Sequence, residues 1–127
     1  MTVKGRTTKA HNECQYRHRA TPKGRMTFLV SQARMRAIRK KLPFERKLFE
    51  KLRSTAPRYC ACCGRVLDYT MGRGKNNRGE SPSLDRRDNS KGYTVENTRV
   101  ICMNCNTQKK NLTIRDLITL LIYMVGV

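Results

Sequence analysis

Two Cys-x-x-Cys pairs, Cys60/Cys63 and Cys102/Cys105, constrain this chain more than any other feature. Each pair can present two thiolates from one tight turn, and two pairs make the tetrahedral four-sulfur set that closes the coordination of Zn²⁺. The 38 residues from Gly64 to Ile101 lie between the pairs, so the chain must fold back on itself to bring them together. Gly64, directly after Cys63, lets the backbone curl so that amides face sulfur. Cys62 is a rival ligand in the same turn, although the two-residue spacing favours Cys60 with Cys63. No apolar segment of a secretory signal follows Met1. The expected setting is therefore cytoplasmic, where paired cysteines favour metal over disulfides. A structural Zn²⁺ held by Cys60, Cys63, Cys102 and Cys105 is the expectation.

A chain of 127 residues makes one domain with a modest core, which gains from such a staple. Its 28 Lys and Arg against 9 Asp and Glu give a net charge of +19. Residues 1–58 hold 17 basic and 3 acidic side chains, net +14, so the N-terminal half is the expected electrostatic grip. A polyanion is the natural partner: nucleic acid, DNA or RNA, with an anionic lipid surface as the alternative. The apolar run Leu117–Val125 is too short to span a bilayer, which takes about 20 residues, so no membrane partner is expected.

Three segments follow from the patterning. Residues 1–24 read as a basic flexible arm without apolar periodicity. Residues 25–54 read as a helical basic region packing on the remainder. Within it, residues 26–41 recur in apolar character at Met26, Val30, Ala33 and Ala37, and Arg34, Arg36, Arg39, Lys40 and Lys41 fill the other side for phosphate contact. Pro43 ends that helix and suits the first turn of a second, Phe44 to Arg53. Residues 55–127 form the zinc-stapled unit. Its loop from Asp68 to Ser81 carries Arg73, Lys75 and Arg78; Ser83 to Asp85 is extended; Asp88 to Tyr93 is turn-forming; Thr98 to Ile101 is a strand. A helix opens at Asn106, with Arg87, Lys109 and Lys110 as further basic contacts. Thr113 and Asp116 suggest a capping box on a last helix. That helix is apolar almost all round, so it is expected to be buried on more than one side, against the earlier helices or in a homodimer.

Asp85 ends one extended segment and Asn106 follows the second Cys pair, so a hairpin would bring them near one point. A carboxylate and an amide oxygen with room for water suit Mg²⁺ or Mn²⁺, the minimal site for phosphodiester hydrolysis. In these residues the chain resembles the HNH, or ββα-metal, endonucleases, phage type, and is similar to the recombination endonuclease VII group. The motifs are Tyr59-Cys60-x-x-Cys63-Gly64, Ser83-Leu84-Asp85-Arg86, Asn97, and Val100-Ile101-Cys102-x-x-Cys105-Asn106 with Lys109 one turn on. The resemblance spans roughly residues 33–122.

It implies an α+β fold: a ββα-metal, treble-clef-like core with a four-cysteine zinc site, flanked by α-helices. It implies a DNA endonuclease whose catalytic residues are Asp85, Arg86, Asn97 and Asn106, with Asp85 and Asn106 on the catalytic Mg²⁺ or Mn²⁺ and Asn97 bracing the loop. A phage-encoded member would work in the host bacterial cytoplasm. The family's general-base His follows that Asp, and here the position is Arg86, which stays protonated at neutral pH. Three outcomes stay open. Metal-bound water suffices, with Arg86 clamping the phosphate. Or Asp88, Tyr93 or an arm histidine, His11 or His18, takes the proton. Or the domain is a zinc-stabilised nucleic-acid binder that does not cut.

Overall fold

The computed structural model describes residues 13–14, 17–18, 20–70 and 79–126. Most of the expected arm, His11 included, lies outside the described residues, as do Arg73, Lys75 and Arg78. Among the described residues the longer elements run α1 (Pro22–Lys40), α2 (Lys47–Thr55), β1 (Pro82–Arg86), β2 (Thr98–Cys102), α3 (Met103–Lys109) and α4 (Ile114–Val125). The architecture is α+β, with one two-stranded antiparallel sheet.

Helix α1 begins earlier than its apolar periodicity. Thr21 is extended, its hydroxyl accepts the Gly24 N–H at 3.1 Å, and Pro22 occupies the first turn, where a missing N–H costs nothing. This start lies inside the segment expected to be an arm, because a Thr-Pro cap carries no apolar signal of its own. Met26, Leu29, Val30, Ala33 and Ala37 are buried. Lys41 in the left-handed region then ends the helix by turning its N–H back on the Ala37 and Ile38 carbonyls.

Helix α2 begins later than expected. Phe44 does not enter a helical turn. It bridges Tyr93 in parallel fashion, with the Tyr93 N–H on the Pro43 carbonyl at 2.9 Å and the Glu45 N–H on the Tyr93 carbonyl at 2.8 Å. The Glu45 carboxylate also accepts the Val95 N–H at 2.8 Å. A Cβ on Gly92 would lie 2.2 Å from the Pro43 carbonyl oxygen, so glycine is required for this approach. The helix therefore starts at Lys47 and buries Leu48 and Leu52. Helix α1 packs on α2 and β1, and one cluster joins their apolar residues to Leu84, Tyr93, Val100 and Ile101.

In the sheet, Leu84 faces Val100 and Asp85 faces Arg99. Before it, residues 58–67 form a small turn: the Cys60 N–H meets the Arg65 carbonyl and the Leu67 N–H the Arg58 carbonyl, both at 2.8 Å, with Gly64 at φ 77°. The Ala61 N–H fastens this turn to the Val100 carbonyl at 3.1 Å. Helix α3 follows β2 without a linker, because Cys102 is both the last strand residue and the N-cap. Asn106 is accordingly in the middle of α3 rather than at its start.

Helix α4 has the expected capping box, with Thr113 and Asp116 satisfying each other's backbone N–H groups. None of its residues is buried. The expected burial against α1 and α2 is not found, because those helices spend their apolar stripes on each other and on the sheet. No helix among the described residues is long and apolar enough to cross a membrane.

Candidate functional site

The two Cys-x-x-Cys turns meet. The sulfurs of Cys60, Cys63, Cys102 and Cys105 all lie within 4.8 Å of one another, and those of Cys63 and Cys102 are 3.9 Å apart. Tetrahedral thiolates around Zn²⁺ stand about 3.8 Å apart, given Zn–S bonds of about 2.3 Å. The four residues can therefore hold a metal ion such as zinc. Cys62 is exposed and gives this group its backbone N–H.

Local folding prepares the sulfurs. Burial pushes the Cys60 thiol up, but N–H groups of Cys63, Cys102 and Cys62 converge on its sulfur at 3.4, 3.2 and 3.4 Å and bring its pKa down to about 6. The Cys105 thiol is pushed well up, first by burial and then by its sulfur neighbours. Its N–H donates to the Cys102 sulfur at 3.5 Å. Within the group, negative charge is thus favoured on the Cys60 sulfur, where N–H groups converge, and disfavoured on the crowded Cys105 sulfur, a balance that a bound cation would shift toward thiolate.

A second group lies where β1 meets α3. Asp85 is buried, and its Oδ1 accepts from the Lys109 ammonium at 3.1 Å. The same Nζ donates to the Arg86 carbonyl at 2.8 Å and approaches Asn89 Oδ1 at 3.4 Å. Three oxygens thus surround one cationic nitrogen. Asn106 lies three residues before Lys109 and so shares its side of α3. In the sequence Lys109 reads as a basic contact and as the residue one turn after Asn106 in the motif; its pairing with Asp85, and the part played by Asn89, are not predicted there.

Asn97 is buried and clamps the turn between the strands. Its amide donates to the Asp88 and Gly92 carbonyls at 3.1 and 2.9 Å, and its Oδ1 accepts the Asp88 N–H at 3.0 Å. Arg86 is also committed to this turn. One terminal nitrogen donates to the Asn89 and Lys91 carbonyls at 2.8 and 2.9 Å, and the guanidinium lies 5.3 Å from the Tyr93 ring centre. The Asp88 carboxylate accepts from the Ser90 hydroxyl and N–H, which hold its pKa below the usual range, with Lys91 and Lys109 adding to the effect. Tyr93 is buried. The two candidate bases of this turn are therefore poorly suited to take a proton: one is kept ionised, and the other is shielded.

Arg34, Arg39, Lys40, Lys41, Arg87 and Lys110 are exposed; Arg36 is half-buried. No family model, curated protein or solved structure matches the chain.

Proposed function

We propose that this chain is a divalent-metal-dependent DNA endonuclease of the HNH, ββα-metal kind, stapled by a structural Zn²⁺ at Cys60, Cys63, Cys102 and Cys105. The observation that carries this reading is the cation position at Asp85. An antiparallel hairpin and the helix after it meet so that Asp85, the Arg86 carbonyl and Asn89 surround a positive charge. The Cys turns fix both sides of that meeting point.

Asp85 and Asn106 are the residues that would hold Mg²⁺ or Mn²⁺. Both offer hard oxygen donors, so the donor set fits in kind. The bound ion would polarise the scissile phosphoryl group and lower the pKa of water. Lys109 has to swing off Asp85 to admit it, which leaves its ammonium free to meet a phosphate oxygen. Asn97 and Arg86 hold the turn in place. The Arg/Lys face of α1 and the exposed Arg87 and Lys110 supply phosphate contacts.

Plasmid nicking with added Mg²⁺ or Mn²⁺ tests the proposal. Asp85→Asn should lose about 10²-fold or more of activity, the loss of several kcal/mol of charge stabilisation, with zinc content and circular dichroism kept. Equal activity in the variant, or none in the parent with either ion, would refute the enzyme.

A second reading has its own support. The ammonium already on Asp85, and the guanidinium already spent on the turn, suit a zinc-stabilised domain that binds nucleic acid without cutting. It predicts salt-dependent DNA binding that is indifferent to Asp85→Asn and to divalent ions.

A further inference from the structure

We infer that α4 is a self-association helix, which pairs with α4 of a second copy of this chain. Its large aliphatic side chains are all between 47% and 80% exposed. At 3.6 residues per turn they cover an arc of about 200°. The polar stripe is narrow and consists of Arg115, Asp116, Thr119 and Tyr123. The centre of the apolar arc reads Ile114, Leu117, Ile118, Leu121, Met124 and Val125, the i, i+3, i+4, i+7 spacing of a packed helix seam.

A helix of 12 residues is marginal in water on its own. Both ends are nevertheless capped, by the Thr113–Asp116 box and by Gly126 in the left-handed region. The sequence specifies a helix that, among the described residues, no other part of the chain covers.

Charge selects the occupant. At net +19 two copies repel over most of their surfaces. From Ile114 to Gly126 the charges are Arg115 and Asp116, net zero, so copies can approach here. An anionic lipid surface is disfavoured by the same composition, since interfacial helices carry Lys and Arg along the polar face. The seam residues expose about 600 Å² per copy, taking roughly 100 Å² per side chain. Two copies together then reach the area of about 1,000 Å² at which specific interfaces begin. The pairing is two-fold, each copy presenting the same seam.

Analytical ultracentrifugation of the full zinc-loaded chain, free of nucleic acid and in high salt, tests this. The parent should sediment at twice the chain mass. Leu121→Glu and Leu117→Glu, at the centre of the seam, should each sediment as a monomer with zinc content unchanged. Thr119→Glu, on the polar stripe, should stay dimeric. A monomeric parent at about 100 μM, far above the dissociation constant of a specific interface, would overturn the proposal. So would a dimer that survives both seam variants, or a monomer that floats with phosphatidylserine vesicles.

Discussion

The segment from Pro82 to Lys109 and helix α4 stand four residues apart and depart from ordinary burial in opposite directions. The first buries polar groups: Ser83, Asp85, Asn97 and Thr98 are all shielded from water. The second exposes apolar ones along its whole length. A buried polar group is tolerated where its hydrogen bonds are made, and here Ser83, Asp85 and Asn97 find theirs within the hairpin, the turn and α3. An exposed apolar helix has no such internal remedy, and its remedy lies in another molecule. The hairpin region is therefore where the chain fixes a geometry, and α4 is where it leaves a face open. Substitutions in the two regions should have effects of different kinds, falling in size from the first to the second.

The largest effect belongs to the Cys turns. Cys105→Ser should abolish the folded state rather than weaken it. Structural zinc sites contribute about 10–16 kcal/mol of folding free energy, comparable with or larger than the whole stability of a small domain. Chelation of the parent should do the same, read as loss of near-UV circular dichroism together with released zinc. A cooperative native-like melt of the serine variant would show that the hairpin holds without the metal.

Next is the turn clamp. Asn97→Ala removes three hydrogen bonds and leaves the Asp88 N–H and the Asp88 and Gly92 carbonyls to find other partners. A loss of about 2–4 kcal/mol in urea unfolding is expected. Lys109→Met should cost about 2 kcal/mol, because the buried Asp85 carboxylate loses its countercharge. The same variant bears on function. If a divalent ion can take the place of the ammonium, Mn²⁺ should restore much of that stability in the variant and little in the parent, by mass action on the folded state. No difference between them would leave Asp85 as a partner of lysine alone.

The sequence is most legible where chemistry imposes a spacing. Two Cys-x-x-Cys pairs with Gly64 place a four-sulfur group, the β-branched run Thr98 to Ile101 places β2, and the short extended stretch Ser83 to Asp85 marks β1, each to within a residue. It is least legible where a distant partner decides. Phe44 has a helical neighbourhood, but Tyr93, 49 residues away, draws it into a bridge and delays α2. Cys102 reads as a ligand, yet its extended backbone also makes it the N-cap that puts Asn106 in mid-helix. Lys109 stands out by its place one turn after Asn106, but its partner is not legible until the hairpin turns Asp85 toward it. For α4 the pattern names an apolar helix, and of its two expected covers the described residues of α1 and α2 do not supply one, because periodicity names a face and not its cover.

The smallest effect is the pH response of α4, and it separates the two regions most cleanly. The Asp116 carboxylate accepts from the N–H and hydroxyl of Thr113, both at 2.8 Å, and these bonds hold its pKa below the usual carboxylate value. A carboxylate with a depressed folded-state pKa contributes its stabilisation above the unfolded pKa of about 3.9 and loses it as pH falls through the folded value. Protonation therefore opens the capping box from the N-terminal end of α4. Amide exchange at Asp116 and Leu117, whose N–H groups meet the Thr113 hydroxyl and carbonyl at 3.1 and 3.0 Å, should be pH-independent in its protection between about pH 5 and 8 and should weaken in acid. Asp116→Asn should show the weakened protection at every pH, since an amide oxygen still accepts but carries no charge toward the positive end of the helix. Amides of β2 should not follow this titration, because α4 touches neither the hairpin nor the Cys turns strongly enough to transmit it. A matching acid step in β2 would mean that α4 is coupled to the site after all, and that the open face belongs to the same cooperative unit as the buried one.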